Sequence, residues 1–394
     1  MTETILTRGQ SLTSGSVTSG NTVIVSSGAY TTGLTVTSGG LEIVRTGGTA
    51  YTTVLSDGGR EVMGSGGVAV STIVSQGGSE EVFSSGNAAN AQVKSGGTLL
   101  VYSGGTASAS IVSSGGTEIL SGGTIVGGSG LYTSAVVSSG GLLTGSGTLT
   151  SGTVTVYGSA SGLEVSSSVG VQVQGVLLDI ASGGRASNIV VSRGDLIVES
   201  GAVVSNASAL GGSLLVITNA GNITVQSGGT AIASVVSGGG LGRPTLRVNG
   251  TSINAAVTSG EIYVSRGTAS ATTLYASGTM NVYRGLAVST TVSSGGTERV
   301  GSGAVTSADV IRSGGYQDVH AGGVVSGTTV ASGGEQYVYS GGVASGTILN
   351  SGGSAIVSAG GTESGARILS GGSATATASG GLWQNTQVSA GGSF

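Results

Sequence analysis

Few residues in this chain could do chemistry. There is one histidine, His320, in the phrase QDVHAGG, and the aspartates are scattered at Asp57, Asp179, Asp195, Asp309 and Asp318. Nucleophilic catalysis needs a nucleophile, a base and a group that orients the base. His320 follows Val319 in an alternating stretch with no second base beside it, so it reads as a side chain facing solvent. Asp179 and Asp195 are 16 residues apart and could share a face. The basic and aromatic residues that a polysaccharide-cleaving site needs do not cluster with them.

A column of carboxylates is the more regular candidate. Glu42, Glu61, Glu80, Glu118 and Glu298 recur at one position of a repeat, and Gln317 and Gln336 continue it. One residue per structural turn would space them at about 4.8 Å, near the separation of a retaining glycosidase pair. An active site occurs once, however, and this position recurs. Simple alternation along a strand would point the column inward. Stacking buried carboxylates is costly, so a bend or bulge is expected to turn them to water as an exposed polar ladder with at most weak cation binding. The calcium-binding nonapeptide repeat places Asp in every turn, whereas Asp is almost absent from the glycine pairs here. Lys94, the single lysine, stands in no phosphate-binding loop. No catalytic, cofactor-binding or metal-binding residue is assigned, and the chain reads as a non-enzyme.

Composition narrows the class further. The 394 residues include 80 Gly, one Pro and no Cys, with 8% charged and 4% aromatic residues and a net charge of −4. A chain so poor in lysine has no basic surface on which to hold nucleic acid. No stretch approaches the ~20 apolar residues of a membrane helix. The start, MTETILTRGQSLTSG, shows no signal peptide in this numbering. Asn206, Asn222 and Asn249 begin N-x-S/T triplets that arise by chance in a Ser/Thr-rich chain.

The elements that position these residues are written in a repeat. Gly-Gly pairs begin at 39, 58, 77, 96 and 115 and again at 295, 314, 333, 352 and 371, each 19 apart. A second pair follows eight residues later in many copies. Three columns between the pairs are apolar. One holds Val36, Leu55, Val74, Val93, Val112, Val292, Ile311, Val330, Leu349 and Ile368. A second holds Val44, Met63, Val82, Val101, Leu120, Val300, Val319, Val338 and Val357. The third is small, with Ala50, Ala69, Ala107 and Ala344. Short strands with glycine corners and three inward stacks per 19 residues close one turn of a solenoid. The expected fold is all-β, a right-handed parallel β-helix of about 20 turns and ~95 Å.

The whole of 1–394 is expected to form a single β-helix, with regular repeats over 11–123 and 285–394 and irregular turns with insertions over 124–284. GGSGLY (127–132) reads as an insertion, and GGGLGRPTLRVNG (238–250) holds the one proline. Thr53, Thr72, Thr328 and Thr347 share a column that would suit an ice-binding face only if it were cleaner, since it also holds Ala91, Ser110, Asp309 and Ala366. Tyr337 and Tyr339, and the group Tyr263, Tyr275 and Tyr283, suggest outward aromatic ladders. Trp383 is expected to cover exposed core near the end.

The phrase SGGEQYVYSGGVASGTILNSGG, residues 332–353, is similar to the repeats of AIDA-type autotransporter adhesin passengers. The resemblance implies a β-helical passenger secreted to, or displayed on, the surface of a Gram-negative bacterium. It implies adhesion to host or bacterial cells, self-association, biofilm formation, and heptose added to Ser or Thr by a heptosyltransferase. Two departures from the family are the missing leader and the missing C-terminal translocator barrel. A non-enzymatic adhesin is therefore the leading expectation. A filament or matrix subunit stacking head to tail through uncapped ends is the alternative, and a polysaccharide-active β-helix the third.

Overall fold

The computed structural model describes residues 2–113, 115–126, 135–151, 153–166, 176–211, 221–238, 243–377 and 380–394. The GGSGLY insertion and residues 239–242 lie outside the described residues. Among the described residues there is strand and turn but no helix. The chain divides into two compact units, one of Met1–Val190 with Gly194–Leu196 and Gly201–Val203, the other of Val191–Arg193, Ile197–Ser200 and Val204–Phe394.

Each unit is a parallel β-solenoid. In the first, Leu41–Val44, Arg60–Met63 and Ser79–Val82 pair in parallel, with Val44 beside Met63 and Met63 beside Val82. In the second, Thr297–Val300, Tyr316–Val319, Glu335–Val338 and Ser354–Val357 pair the same way, each residue against the one 19 positions on. A regular turn carries three strands, as in Glu335–Val338, Val343–Ser345 and Ile348–Leu349. The two units together hold about 18 turns of roughly 19 residues. Dividing the length by 19 gives about 20. Longer turns account for part of the difference: Thr117 pairs with Leu142 and Thr153 with Leu177, so these turns consume 25 and 24 residues.

The glycine pairs now have separate physical reasons. The first glycine of a pair sits at positive φ, as at Gly333 (71°) and Gly352 (74°), where a Cβ would clash with the following carbonyl. Its bare face also leaves room for a neighbour, since a Cβ on Gly352 would lie 2.6 Å from Ser332 Oγ. The second glycine passes against the turn before it: a Cβ on Gly353 would stand 2.4 Å from the Val330 carbonyl oxygen. The amide of Gly333 donates to Gly352 O and that of Gly352 to Gly371 O, both at 2.7 Å, which closes the corner ladder. Serine, glycine and glycine thus occupy three positions that sterics assigns separately.

All three apolar columns point inward and are buried. Each buried Val or Leu contributes about 1.5–3 kcal/mol relative to exposure, and like side chains meet like side chains in successive turns. Stability therefore accumulates turn by turn, as in any one-dimensional array.

Candidate functional site

Between these apolar stacks runs a polar spine, and here the structure corrects the sequence reading. Glu42, Glu61, Glu80, Glu118, Glu298, Gln317 and Gln336 are fully buried, not an exposed ladder. No bulge turns them out, because the strands carrying them keep the inward-outward alternation and stay in register. The same finding removes surface cation binding by this column. The threonines are corrected too: Thr53, Thr72, Thr328 and Thr347 are buried, so they form no flat outer face for ice. Their work is internal, since their hydroxyls serve the carboxyl and amide groups of the spine.

In the first unit the spine is acidic. Glu42 lies beside Glu61 and Glu61 beside Glu80 in consecutive turns; Leu99 interrupts, and Glu118 follows it. Thr31 donates to Glu42 Oε1 at 2.6 Å and Thr53 to Glu42 Oε2 at 3.0 Å. Thr72 donates to Glu61 Oε2 at 2.9 Å, and Ser110 to Glu118 Oε2 at 2.7 Å. One oxygen each of Glu61 and Glu118, and both of Glu80, have no donor. Burial raises all four carboxyls. Glu61 rises well above the usual range, with the charges of Glu42 and Glu80 adding to burial. Burial brings Glu80 to about 8 against the pull of the nearby Thr72 hydroxyl, which bonds Glu61, and Glu118 to about 7. Acids stacked at about 4.8 Å cannot all ionise without water. A neutral carboxyl carries its own O–H, a donor for the oxygens of Glu61, Glu80 and Glu118 that no hydroxyl reaches.

The spine of the second unit mixes amides with carboxyls. Gln317 Nε2 donates to Glu298 Oε2 at 2.7 Å and to Asp309 Oδ2 at 3.0 Å, and Gln336 Nε2 donates to Gln317 Oε1 at 2.8 Å. Thr328 donates to Gln317 Oε1 at 3.2 Å. Thr347 Oγ1 lies 3.1 Å from Gln336 Oε1 and 3.0 Å from Glu363 Oε2. Carboxyls flank the two amides: Glu298 in the turn before Gln317, Asp309 beside Gln317, and Glu363 sharing Thr347 with Gln336. Burial, reinforced by the charge of Asp309, raises Glu298 well above its usual value, while burial brings Asp309 to about 6 and Glu363 to about 7.

A sequence signal could have found the spine. Each of Glu42, Glu61, Gln317 and Gln336 is followed 11 residues later by a threonine, Thr53, Thr72, Thr328 or Thr347. Ala91 stands 11 after Glu80, the acid left without a hydroxyl donor.

The outward face carries the remaining candidates. His320 is exposed as expected and stacks on Tyr339, with ring centroids 4.9 Å apart and planes 6° from parallel. Tyr339 in turn stacks on Tyr337 at 6.1 Å, and the Tyr337 hydroxyl donates to Glu335 at 2.5 Å. Of the middle tyrosines, Tyr263 is half-buried beneath Arg247, whose guanidinium carbon is 5.5 Å from the ring centre. Tyr283 and Tyr275 are exposed, Tyr283 ending the strand Thr279–Tyr283 and Tyr275 preceding that strand. Asp179 and Asp195 hold the third and first places of Leu177–Ile180 and Asp195–Val198. Trp383 stands in register with Glu363, one turn on, and meets Phe394 edge-on at 5.4 Å. One surface feature was not foreseen: Leu286, Val305, Val324 and Val343 stand in register on four consecutive turns. Each of them is between 38% and 43% exposed.

A parallel β-solenoid with a repeated outer face is the class this fold defines. Within that class, the family described as adhesin of bacterial autotransporter system, probable stalk, matches residues 62–116 and 319–372. Those two stretches resemble the stalk repeats of that family, and the rest of the chain lies outside the match. Stalks of this kind are adhesin parts, not enzymes. Comparison with curated proteins yields no match. Among solved structures, the TibC-catalysed hyper-glycosylated TibA fragment is 27% identical, over 95% of this chain and 100% of that one, at a TM-score of 0.29. The periplasmic alginate epimerase AlgG is 8% identical, over 90% of this chain and 78% of that one, at a TM-score of 0.16.

Proposed function

We propose that the chain acts as a surface adhesin of a Gram-negative bacterium, binding a second copy of itself on a neighbouring cell and other cell surfaces through its repeated outer face. The ridge of Leu286, Val305, Val324 and Val343 carries this reading. Apolar side chains left in water on four successive turns favour a partner that covers them. A second copy offers the same ridge at the same spacing of about 4.8 Å per turn, so the two match along their length. Contacts that are individually weak then add through multivalency, which suits cell clumping and biofilm growth. The adhesin stalk match supports the same reading.

The chain displayed on bacterial cells should make them clump and settle. Val305→Ser, Val324→Ser and Val343→Ser together should abolish the clumping while the fold, read by circular dichroism, persists. Displayed cells that neither clump nor adhere to epithelial cells or abiotic surfaces would end the adhesin reading.

Modification of the outer face belongs to this function. Ser294, Ser313, Ser332, Ser351 and Ser370 are exposed, one per turn, each beside a glycine of the next turn. Nothing larger than hydrogen crowds these hydroxyls from that side, so the column is the proposed acceptor for a heptosyltransferase. Intact mass after co-expression with such an enzyme should rise by whole heptose increments; the mass of the bare chain would remove this part.

A further inference from the structure

In the second unit the corner that follows the inner valine column changes length. Four residues link Val225 to Thr230, Val300 to Val305 and Val319 to Val324. Only Asn249 and Gly250 link Val248 to Thr251; three residues link Val264 to Thr268, and three link Val282 to Leu286. The strands beyond these corners stay in register, Thr251 beside Thr268, Thr268 beside Leu286 and Leu286 beside Val305. The missing residues are therefore taken from the outward swell of the corner. What results is a recess of about 500 Å³ lined by Asn249, Ser265, Arg266, Tyr283, Arg284 and Ser302.

The recess is basic in an acidic chain. Five of the 13 lysines and arginines fall between 243 and 299, namely Arg243, Arg247, Arg266, Arg284 and Arg299, against two acids, Glu261 and Glu298. Glu298 is buried inside the spine, and Glu261 is engaged by Arg243 at 2.9 Å. Arg247 lies on Tyr263, and Arg299 faces Asp318 at 3.8 Å. Among the described residues, Arg266 and Arg284 have no acidic partner within 4.0 Å, and both are exposed. They are also the only arginines there at positive φ, 69° and 55°. A long side chain in that region costs of order 1 kcal/mol, and two successive turns tolerate it at the same corner. Beside them Tyr283 packs over Gly301, where a Cβ would stand 2.4 Å from its ring, and the side chain stays exposed at the recess.

We propose that this recess binds an anionic saccharide, with Arg266 and Arg284 donating to a carboxylate or sulfate on the sugar and the ring of Tyr283 packing against a pyranose face. Guanidinium forks match planar or tetrahedral oxyanions. An aromatic surface with a few convergent polar groups, here Asn249, Ser265 and Ser302, is how small sites fix orientation. The proposal names a ligand class for the adhesive surface and rests on that reading.

The test titrates the purified full chain with a heparin-derived octasaccharide, with an oligogalacturonate of similar length, and with neutral maltooctaose. At least one of the two anionic sugars should bind. The heparin fragment carries both sulfate and carboxylate, so binding of the oligogalacturonate assigns carboxylate and binding of heparin alone assigns sulfate. Maltooctaose should bind at least about tenfold more weakly, the worth of one or two charge-assisted hydrogen bonds. Arg266→Ala with Arg284→Ala should weaken binding by about 10–100-fold with the melting temperature unchanged. Arg266→Lys with Arg284→Lys should restore part of it, and Arg312→Ala on the same unit should change nothing. Equal binding of the neutral sugar, no binding of either anionic sugar, indifference to the double alanine variant, or an equal loss on Arg312→Ala would each overturn the site. Cells displaying the chain separate the two readings. Adhesion without binding of either anionic sugar removes the site and leaves the adhesin; sugar binding by the purified chain without any adhesion does the reverse.

Discussion

The two units place different chemistry at the same inward position. In the first, Glu42, Glu61 and Glu80 stack directly on one another; in the second, Gln317 and Gln336 stack and the carboxyls of Glu298, Asp309 and Glu363 flank them. An amide has a donor and an acceptor at every pH, so each turn can hand a hydrogen to the turn before it, as in other glutamine ladders. A carboxyl has a donor only when protonated. The acidic spine is thus complete only while its members stay neutral, whereas in the second unit proton dependence rests on Glu298, Asp309 and Glu363 beside amides that do not titrate.

The comparison breaks most severely if a permanent charge enters either spine. Glu80→Lys in the first unit and Gln336→Lys in the second should each destabilise by at least about 3 kcal/mol. Hydrogen exchange read by mass spectrometry should show amide protection lost around the substituted turns; protection kept in either case would mean that water reaches the spine.

A gentler change of pH should separate the units. A buried carboxyl whose pKa is raised leaves folding unaffected below about 4.5, where both states are protonated. Above that, stability falls by about 1.4 kcal/mol per pH unit for each group held neutral, until the folded-state pKa is reached. For Glu80 that window ends near pH 8 and for Glu118 near 7. Protection of Arg60–Met63 and Ser79–Val82 should therefore decline between pH 4.5 and 8 more than that of Glu335–Val338, whose Gln336 does not titrate. Equal decline would erase the distinction.

Glu61→Gln with Glu80→Gln turns the acidic spine into the amide kind. At pH 8 the double variant should be more stable than the parent by several kcal/mol, on the order of 5, and at pH 4 near equal to it, by thermal melting. The smallest effect concerns the hydroxyls. Thr72→Val should cost about 1 kcal/mol by removing the donor to Glu61, and Thr347→Val a similar amount in the second unit. Ser332→Ala on the outer corner should stay within about 0.5 kcal/mol.

Much of this was legible in the residues. Columns such as Val74–Val93–Val112 name their own inward direction, since a repeat of 19 brings like residues together whatever the corner geometry. The Glu column was legible in direction too, because alternation alone places Glu61 two residues from Met63 on the same face. What opposed it was a correct cost wrongly applied: an ionised stack is prohibitive, whereas a neutral one with threonine donors is not. The recess at Arg266 and Arg284 was invisible in sequence for another reason. Corner lengths of two, three and four residues mean little until the flanking strands are known to stay in register.

By itself, then, the sequence determined the period, the three apolar stacks and the positions that must be glycine, because each follows from local sterics repeated at a constant interval. Only the tertiary structure decided the protonation-dependent interior and the shape of the outer face. Whether a carboxyl is buried beside a hydroxyl, or an arginine overlooks a recess, depends on which residues of neighbouring turns meet, and turns of unequal length hide that from the linear chain.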